Sequence, residues 1–316
     1  MRILYRTLLA FTAGACFALS AQAQQFINVL TGGTSGIYYP LGVSLTQIYG
    51  KAIPSAKSTV QSTKASAENL NLLQAGRGEI ALTLGDALSL AWKGDADAGF
   101  KTPLNKLRGV SATYSNYIQI VASADSGIKT MADLKGKRIS VGAPKSGTEL
   151  NARAILKAAG LTYGDFAKVE YLPFGESVEL IKNRQLDVTL QSAGLGVASI
   201  RDLATSVNIV VVSIPADVVA KVGDAAYQAA VIPANTYQGQ AADVPTAAIA
   251  NFLVTHEGVP ADLIYQMTKS MYDNLDMMVA AHAAAKAIKR ENALKGMPLP
   301  LHPGAEKYYR EVGLLK

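Results

Sequence analysis

Short runs of β-branched and aliphatic residues alternate with longer amphipathic stretches along this chain. Residues 26–30, 80–84, 117–122, 138–141, 169–172, 188–191 and 207–214 have the length and composition of strands. Between them, apolar positions recur at helical spacing over 38–49, 66–75, 149–159, 176–183 and 197–203. Gly50, Gly76 and Gly160 stand where C-terminal caps belong, and Pro40 stands in a first turn. Strands alternating with helices predict an α/β fold with parallel sheets and crossover connections.

The pattern also repeats. Shifted by 108 residues, Glu68-Asn69-Leu70-Asn71-Leu72-Leu73 lies over Glu176-Ser177-Val178-Glu179-Leu180-Ile181, and Glu79-Ile80-Ala81-Leu82 over Asp187-Val188-Thr189-Leu190. Upstream, Ile27-Asn28-Val29 followed by Ser35-Gly36 resembles Ile139-Ser140-Val141 followed by Ser146-Gly147. Two similar lobes facing each other are what a ligand-clamping protein needs. The reading is therefore a two-lobed binding fold of the Venus-flytrap, type II-like kind, with lobe I at 24–115 plus 216–316 and lobe II at 116–215. Residues 117–122 and 207–214 would cross between the lobes. In the stretch 260–289, Leu263, Met267, Met271, Leu275 and Met278 recur at spacings of four, four, four and three, a buried helical face assigned to the core of lobe I.

The amino terminus changes the picture of compartment. Arg2 and Arg6 precede a short apolar run at 8–19, and Ala21-Gln22-Ala23 offers a small-x-small cleavage pattern, so residues 1–23 read as a secretory signal peptide. The only cysteine, Cys16, falls inside that segment. A lipoprotein attachment at Cys16 is the alternative, against which Ala13-Gly14-Ala15 lacks the usual large aliphatic residue. Removing the leader leaves 28 basic against 24 acidic residues, a net charge of +4. That excess is mild and scattered, which argues against a nucleic-acid footprint. The expectation is an exported, periplasmic, monomeric protein without cofactor or metal. Roughly 290 mature residues suit two lobes.

Ligands of open α/β sheets collect where strand ends lead into helix N-termini. Four loops rich in Gly, Ser and Thr have that placement: 31–36, 62–66, 142–148 and 191–194. They nominate Thr34, Ser35, Ser66, Ser146, Gly147, Thr148 and Gln191 as ligand contacts, although Ser and Thr there also serve as N-caps. Lys64 and Lys145 are the cations in these loops, and Lys64 is the choice for a ligand carboxylate. Tyr38, Tyr39 and Tyr114 are candidate walls, and Asp86 follows a strand directly and faces either a ligand amine or a loop. Arg153 has Glu149 as its i−4 neighbour. No nucleotide-binding glycine pattern or nucleophile elbow is present, and His256, His282 and His302 lack metal-ligand spacing.

Thr31-Gly32-Gly33-Thr34-Ser35-Gly36-Ile37-Tyr38-Tyr39-Pro40, Glu68-Asn69-Leu70-Asn71-Leu72-Leu73 and Val141-Gly142-Ala143-Pro144-Lys145-Ser146-Gly147-Thr148-Glu149 together resemble the TAXI family of solute receptors for tripartite ATP-independent periplasmic (TRAP) transporters. The resemblance covers nearly all of the chain beyond residue 23. It implies a fold that closes on a small carboxylate (a dicarboxylate, a 2-oxoacid or a glutamate-like compound) and delivers it to an ion-gradient-driven TRAP membrane permease. It also implies ligand contacts at Ser35, Tyr38, Ser146, Gly147 and Thr148. Many members carry a small residue where this chain has Lys64, which leaves room for a second ligand carboxylate. Two other classes remain open: an enzyme on a similar frame acting on an anionic substrate, and a sensing partner of a membrane kinase.

Overall fold

The computed structural model describes residues 24–316. The expected leader at 1–23, and Cys16 with it, lies outside the described residues. The first lobe opens with β1 (Gln25–Leu30), α1 (Tyr38–Ala52), β2 (Ala56–Gln61), α2 (Ser66–Gln74), β3 (Ile80–Leu84) and α3 (Gly85–Lys93). A long strand, β4 (Leu107–Ser123), carries the chain across to β5 (Arg138–Ser140), α4 (Gly147–Ala158), β6 (Lys168–Glu170), α5 (Phe174–Lys182) and β7 (Val188–Ala193). Then come α6 (Ala198–Ser206), β8 (Ile209–Val212), α7 (Ala216–Lys221), β9 (Gln228–Ile232) and β10 (Val244–His256). Helices α8 (Ala261–Asp273), α9 (Leu275–Ala281) and α10 (Pro303–Glu311) complete the order.

The repeated sequence corresponds to repeated topology. The sheet runs β2-β1-β3-β10-β4-β7-β5-β6, so β2-β1-β3 in one lobe is mirrored by β6-β5-β7 in the other. Within each triplet the pairs are parallel, as βαβ crossovers require. The result is a two-lobed α/β fold of the periplasmic binding-protein type. Helices α2 and α5, which carry the two matched motifs, occupy the same place in each triplet.

The crossing strands are β4 and β10, paired antiparallel from Leu107↔His256 to Tyr117↔Ala248. Residues 207–214 do not cross: β8 pairs only with the far end of β4, at Ile120–Ser123. Residues 216–247, expected with lobe I, pack instead against α4 and the start of β10, where Ile214 N donates to Pro245 O at 2.9 Å and β9 pairs with Val244–Ala248. These contacts support assigning 216–247 to the second lobe.

Leu263, Met267, Met271 and Met278 are buried with Ile27, Val29, Leu41 and Leu45 of the first lobe, so the methionine stripe is core. A break at Asn274 divides that stretch into α8 and α9. Gly76 and Gly160 follow α2 and α4 with φ of 67° and 78°, the left-handed cap that glycine favours. Gly50 lies inside α1 rather than beyond its end.

Candidate functional site

A cavity of about 400 Å³ lies between the lobes, walled by residues 32–38, 62–66, 146–148, 173–176, and Tyr114, Asn116, Ser192 and Ala193. That volume falls toward the small end of ligand sites, which run from ~300 to 1,000 Å³. The loops hold their shape through Asn69, buried at the start of α2. Its amide donates to Thr31 O at 2.7 Å and Leu82 O at 2.9 Å, while its carbonyl accepts from Thr63 Oγ1 at 2.6 Å. Ser62 Oγ ties in Gly32 O at 2.9 Å. Ala65 and Lys145 precede the Ser66 and Ser146 turns with φ of 68° and 62°, matched strained residues in the two lobes.

At Gly147 the lobes pack closely. A Cβ placed there would lie 2.6 Å from Ser66 Oγ and 2.6 Å from Leu84 Cδ1, so the absence of a side chain permits the contact. On the other side, Ser35 and Gly36 face Gly175 and Phe174. Glu68 N donates to Lys145 O at 3.2 Å across the same gap.

Three nominated hydroxyls are engaged as acceptors. Ser146 Oγ caps α4 by accepting Glu149 N at 3.1 Å, Ser66 Oγ accepts Leu84 N at 3.1 Å, and Thr148 Oγ1 accepts Ser192 N at 3.3 Å. Each therefore keeps its own O–H proton to donate. The Tyr114 hydroxyl and Ser192 Oγ are buried without any partner among the described residues. Burial pushes the Tyr114 phenol well above its ordinary range, so it stays a donor at any physiological pH. Five hydroxyls thus belong to residues that wall the cavity.

Behind them runs a buried amide chain. Asn251 sits at a register irregularity in β10, which turns its side chain toward the site. It accepts from the Tyr38 hydroxyl and donates to Tyr114 O at 2.9 Å and Asn116 Oδ1 at 2.9 Å; Asn116 in turn donates to Ser192 O at 2.8 Å. The Tyr38 ring lines the cavity and meets the Tyr114 ring edge-on at 6.4 Å, but its hydroxyl is occupied.

Of the residues nominated from sequence, Thr34, Ser35, Tyr38, Lys64, Ser66, Tyr114, Ser146, Gly147 and Thr148 line this cavity. Asp86 and Gln191 are not among its walls: Gln191 is fully buried with its carbonyl accepting Ser199 Oγ at 2.6 Å, and Asp86 is buried against the second lobe. Tyr39 and Lys145 are not wall residues either. Arg153 pairs with Glu149 at 2.6 Å. Lys64 and Glu176 are the charged wall residues, both exposed at the rim, and Lys64 makes no ion pair among the described residues. Sequence reasoning missed Asn116, Phe174 and Glu176, and singled out the loop of Ser192 without nominating that residue. Glu176 and Phe174 were within reach of it, because the repeat places them over Glu68 and Ser66. Among the described residues no helix is long and apolar enough to cross a membrane.

A model of the NMT1-like family matches residues 29–313. Among solved structures, PhnD1 from Prochlorococcus marinus in complex with methylphosphonate is similar at a TM-score of 0.58 and 10% identity, over 92% of this chain and 100% of that one. A protein from Bordetella bronchiseptica RB50 matches at 0.52 and 16% identity over 92% and 89%. A Listeria monocytogenes chain assigned to an L-cystine ABC transporter matches at 0.51 and 14% identity over 85% and 98%. At such identities the likeness establishes the fold.

Proposed function

The chain belongs to the NMT1-like family, and from that premise we propose that it is a periplasmic solute-binding protein that clamps one small organic acid between its lobes and hands it to a membrane transporter. The observation that carries this reading is the set of five hydroxyl-bearing residues that wall a cavity of about 400 Å³. Hydroxyls already accepting backbone N–H groups favour a ligand rich in acceptor oxygens. The N-terminus of α4 adds peptide N–H groups at Gly147 and Thr148. Hydrogen bonds to a charged group contribute ~1.5–3 kcal/mol each, so three or four of them reach the ~8 kcal/mol of micromolar binding. No histidine or cysteine lines the cavity among the described residues, and we propose binding without turnover.

The ligand we propose is a small carboxylate, with a dicarboxylate, 2-oxoacid or glutamate-like compound foremost. Its acid end rests on the hydroxyl wall, and Lys64 at the rim meets a second acidic group. The methylphosphonate in the PhnD1 complex makes phosphonates the competing class. Thermal unfolding of the ligand-stripped chain against carboxylates, phosphonates, sulfonates, amino acids and sugars tests this. A ligand at 100 times its dissociation constant adds ~2.7 kcal/mol. A shift confined to sugars would sink the reading.

The loop resemblance supports a TRAP permease as the partner, whereas the Listeria neighbour is assigned to an ABC transporter. Uptake that survives ATP depletion but stops when the ion gradient is collapsed supports the TRAP assignment, and the reverse pattern supports the ABC one. Binding activity without any effect on uptake would favour a sensing role.

A further inference from the structure

Outside the cavity, a second set of buried polar groups joins the lobes. Asp86 lies in the first turn of α3 in the first lobe and is 1% exposed. Its Oδ2 accepts from Asn151 Nδ2 of α4 at 2.6 Å and from the Tyr227 hydroxyl, just before β9, at 2.8 Å. Asn151 Nδ2 also donates to the Tyr227 hydroxyl at 2.9 Å, which closes a three-membered ring across the interface. Both partners belong to the second lobe and both are buried.

The ring contains no cation. Arg153, two residues further along α4, is committed to Glu149 at 2.6 Å and to Asp97 O at 2.9 Å. Asp224, in the turn preceding Tyr227, is a like charge that disfavours ionisation of Asp86, and Tyr38 of α1 is the other titratable group facing it. Oδ1 of Asp86 and Oδ1 of Asn151 are both buried without a hydrogen-bond donor. Two facing lobes therefore bury a carboxylate with no cationic side chain beside it; the Asn151 and Tyr227 hydrogen bonds and the backbone N–H groups at the start of α3 offset its desolvation only in part. A proton on Asp86 removes the charge.

We propose that Asp86 is a proton-operated latch: the lobes close over the cavity with uptake of one proton by this carboxylate, and its ionisation favours the open form. When the lobes part, Asp86 separates from Asn151 and Tyr227 and gains access to water. Burial, partly offset by the Tyr227 hydrogen bond, raises the carboxyl to about 6 in the closed form, whereas a solvated aspartate titrates near ~3.9. The closed form binds more protons across that interval, so closure is favoured at low pH and loses ground as pH rises through 6. Linkage between those two values makes the closed-to-open ratio roughly tenfold larger at pH 5 than at pH 7. The other interlobe contacts described, Glu68 N to Lys145 O and Arg153 to Asp97 O, do not titrate in this range.

The test requires no solute, so its failure is separable from failure of the ligand reading. Spin labels are attached at Lys51→Cys and Lys157→Cys, exposed positions near the ends of α1 and α4, in the full chain carrying Cys16→Ser. Their distance distribution is measured from pH 4.5 to 8. The expected result is a short-distance population that grows as pH falls, with a closed-to-open ratio changing roughly tenfold between pH 7 and 5. Asp86→Asn is expected to abolish the pH response. Tyr227→Phe, which removes a hydrogen bond to the anionic form, is expected to move the midpoint to higher pH, whereas a purely structural contact would lower closure evenly. A flat response in the parent chain, an unaltered response in Asp86→Asn, or an unmoved midpoint in Tyr227→Phe overturns the proposal.

Discussion

Gly147→Ala isolates lobe closure from folding. The new methyl would sit 2.6 Å from both Ser66 Oγ and Leu84 Cδ1, and 3.0 Å from Ser66 Cβ. Ordinary contact begins nearer 3.4 Å, so either the buried Ser66 and Leu84 side chains shift or the lobes stay apart by about 1 Å. Forced overpacking of this kind costs ~1–3 kcal/mol, which falls here only on the closed form. Solute affinity should drop by a factor of roughly 5 to 150. The unliganded chain should not suffer. Gly147 is the first residue of α4 and is absent from the positive-φ glycines, so alanine fits its backbone and stabilises the fold by ~0.4–1 kcal/mol. Calorimetric titration with the acid giving the largest thermal shift reads the first quantity, and the unliganded melting midpoint reads the second. Affinity within twofold of the parent chain would refute the reasoning, because the lobes would then bind solute without meeting at Gly147.

Tyr114→Phe and Ser192→Ala remove hydroxyls that bond nothing in the described residues; each should weaken acid binding by roughly tenfold while leaving urea unfolding unchanged. A stability loss without an affinity loss would make them structural. Lys64→Ala should weaken dicarboxylates more than monocarboxylates, and equal losses in a side-by-side titration would remove Lys64 from ligand contact. Asn251→Ala strands the Tyr38 hydroxyl and Asn116 Oδ1. It should lower unfolding free energy by at least ~2 kcal/mol in a urea titration, the cost of buried groups left unpaired; an unchanged midpoint would contradict the proposed supporting role.

Much of the fold was legible because local pattern and tertiary role agree. Helices α1, α2, α4 and α5 have apolar faces that pack on the sheet, and the 108-residue shift registers α2 on α5 and β3 on β7. Of the two crossing strands, β4 was legible only at 117–122 and β10 was hidden, for a physical reason. The first half of β4 and most of β10 are rich in Ala, Ser, Thr and Asn, which blurs the strand pattern. Missing β10 displaced the lobe boundary. The loops bearing Gly, Ser and Thr announced seven of the nine nominated wall residues because glycine and hydroxyl chemistry is local. Asn116 and Asn251 were silent, because their position depends on strand pairing between segments 135 residues apart; Ser192 lay in a singled-out loop but was not itself nominated. Asp86 was visible as a buried-strand successor, but which lobe would meet it was not.

Titration calorimetry of the ligand-stripped chain with small carboxylates, followed by recovery of the solute, separates acid binding from turnover in one experiment. Saturable 1:1 binding of at least one small acid is expected, micromolar or tighter, with the acid recovered chemically unchanged. Recovery of a transformed product, or saturable binding of neutral sugars in place of every acid, would contradict the proposed function.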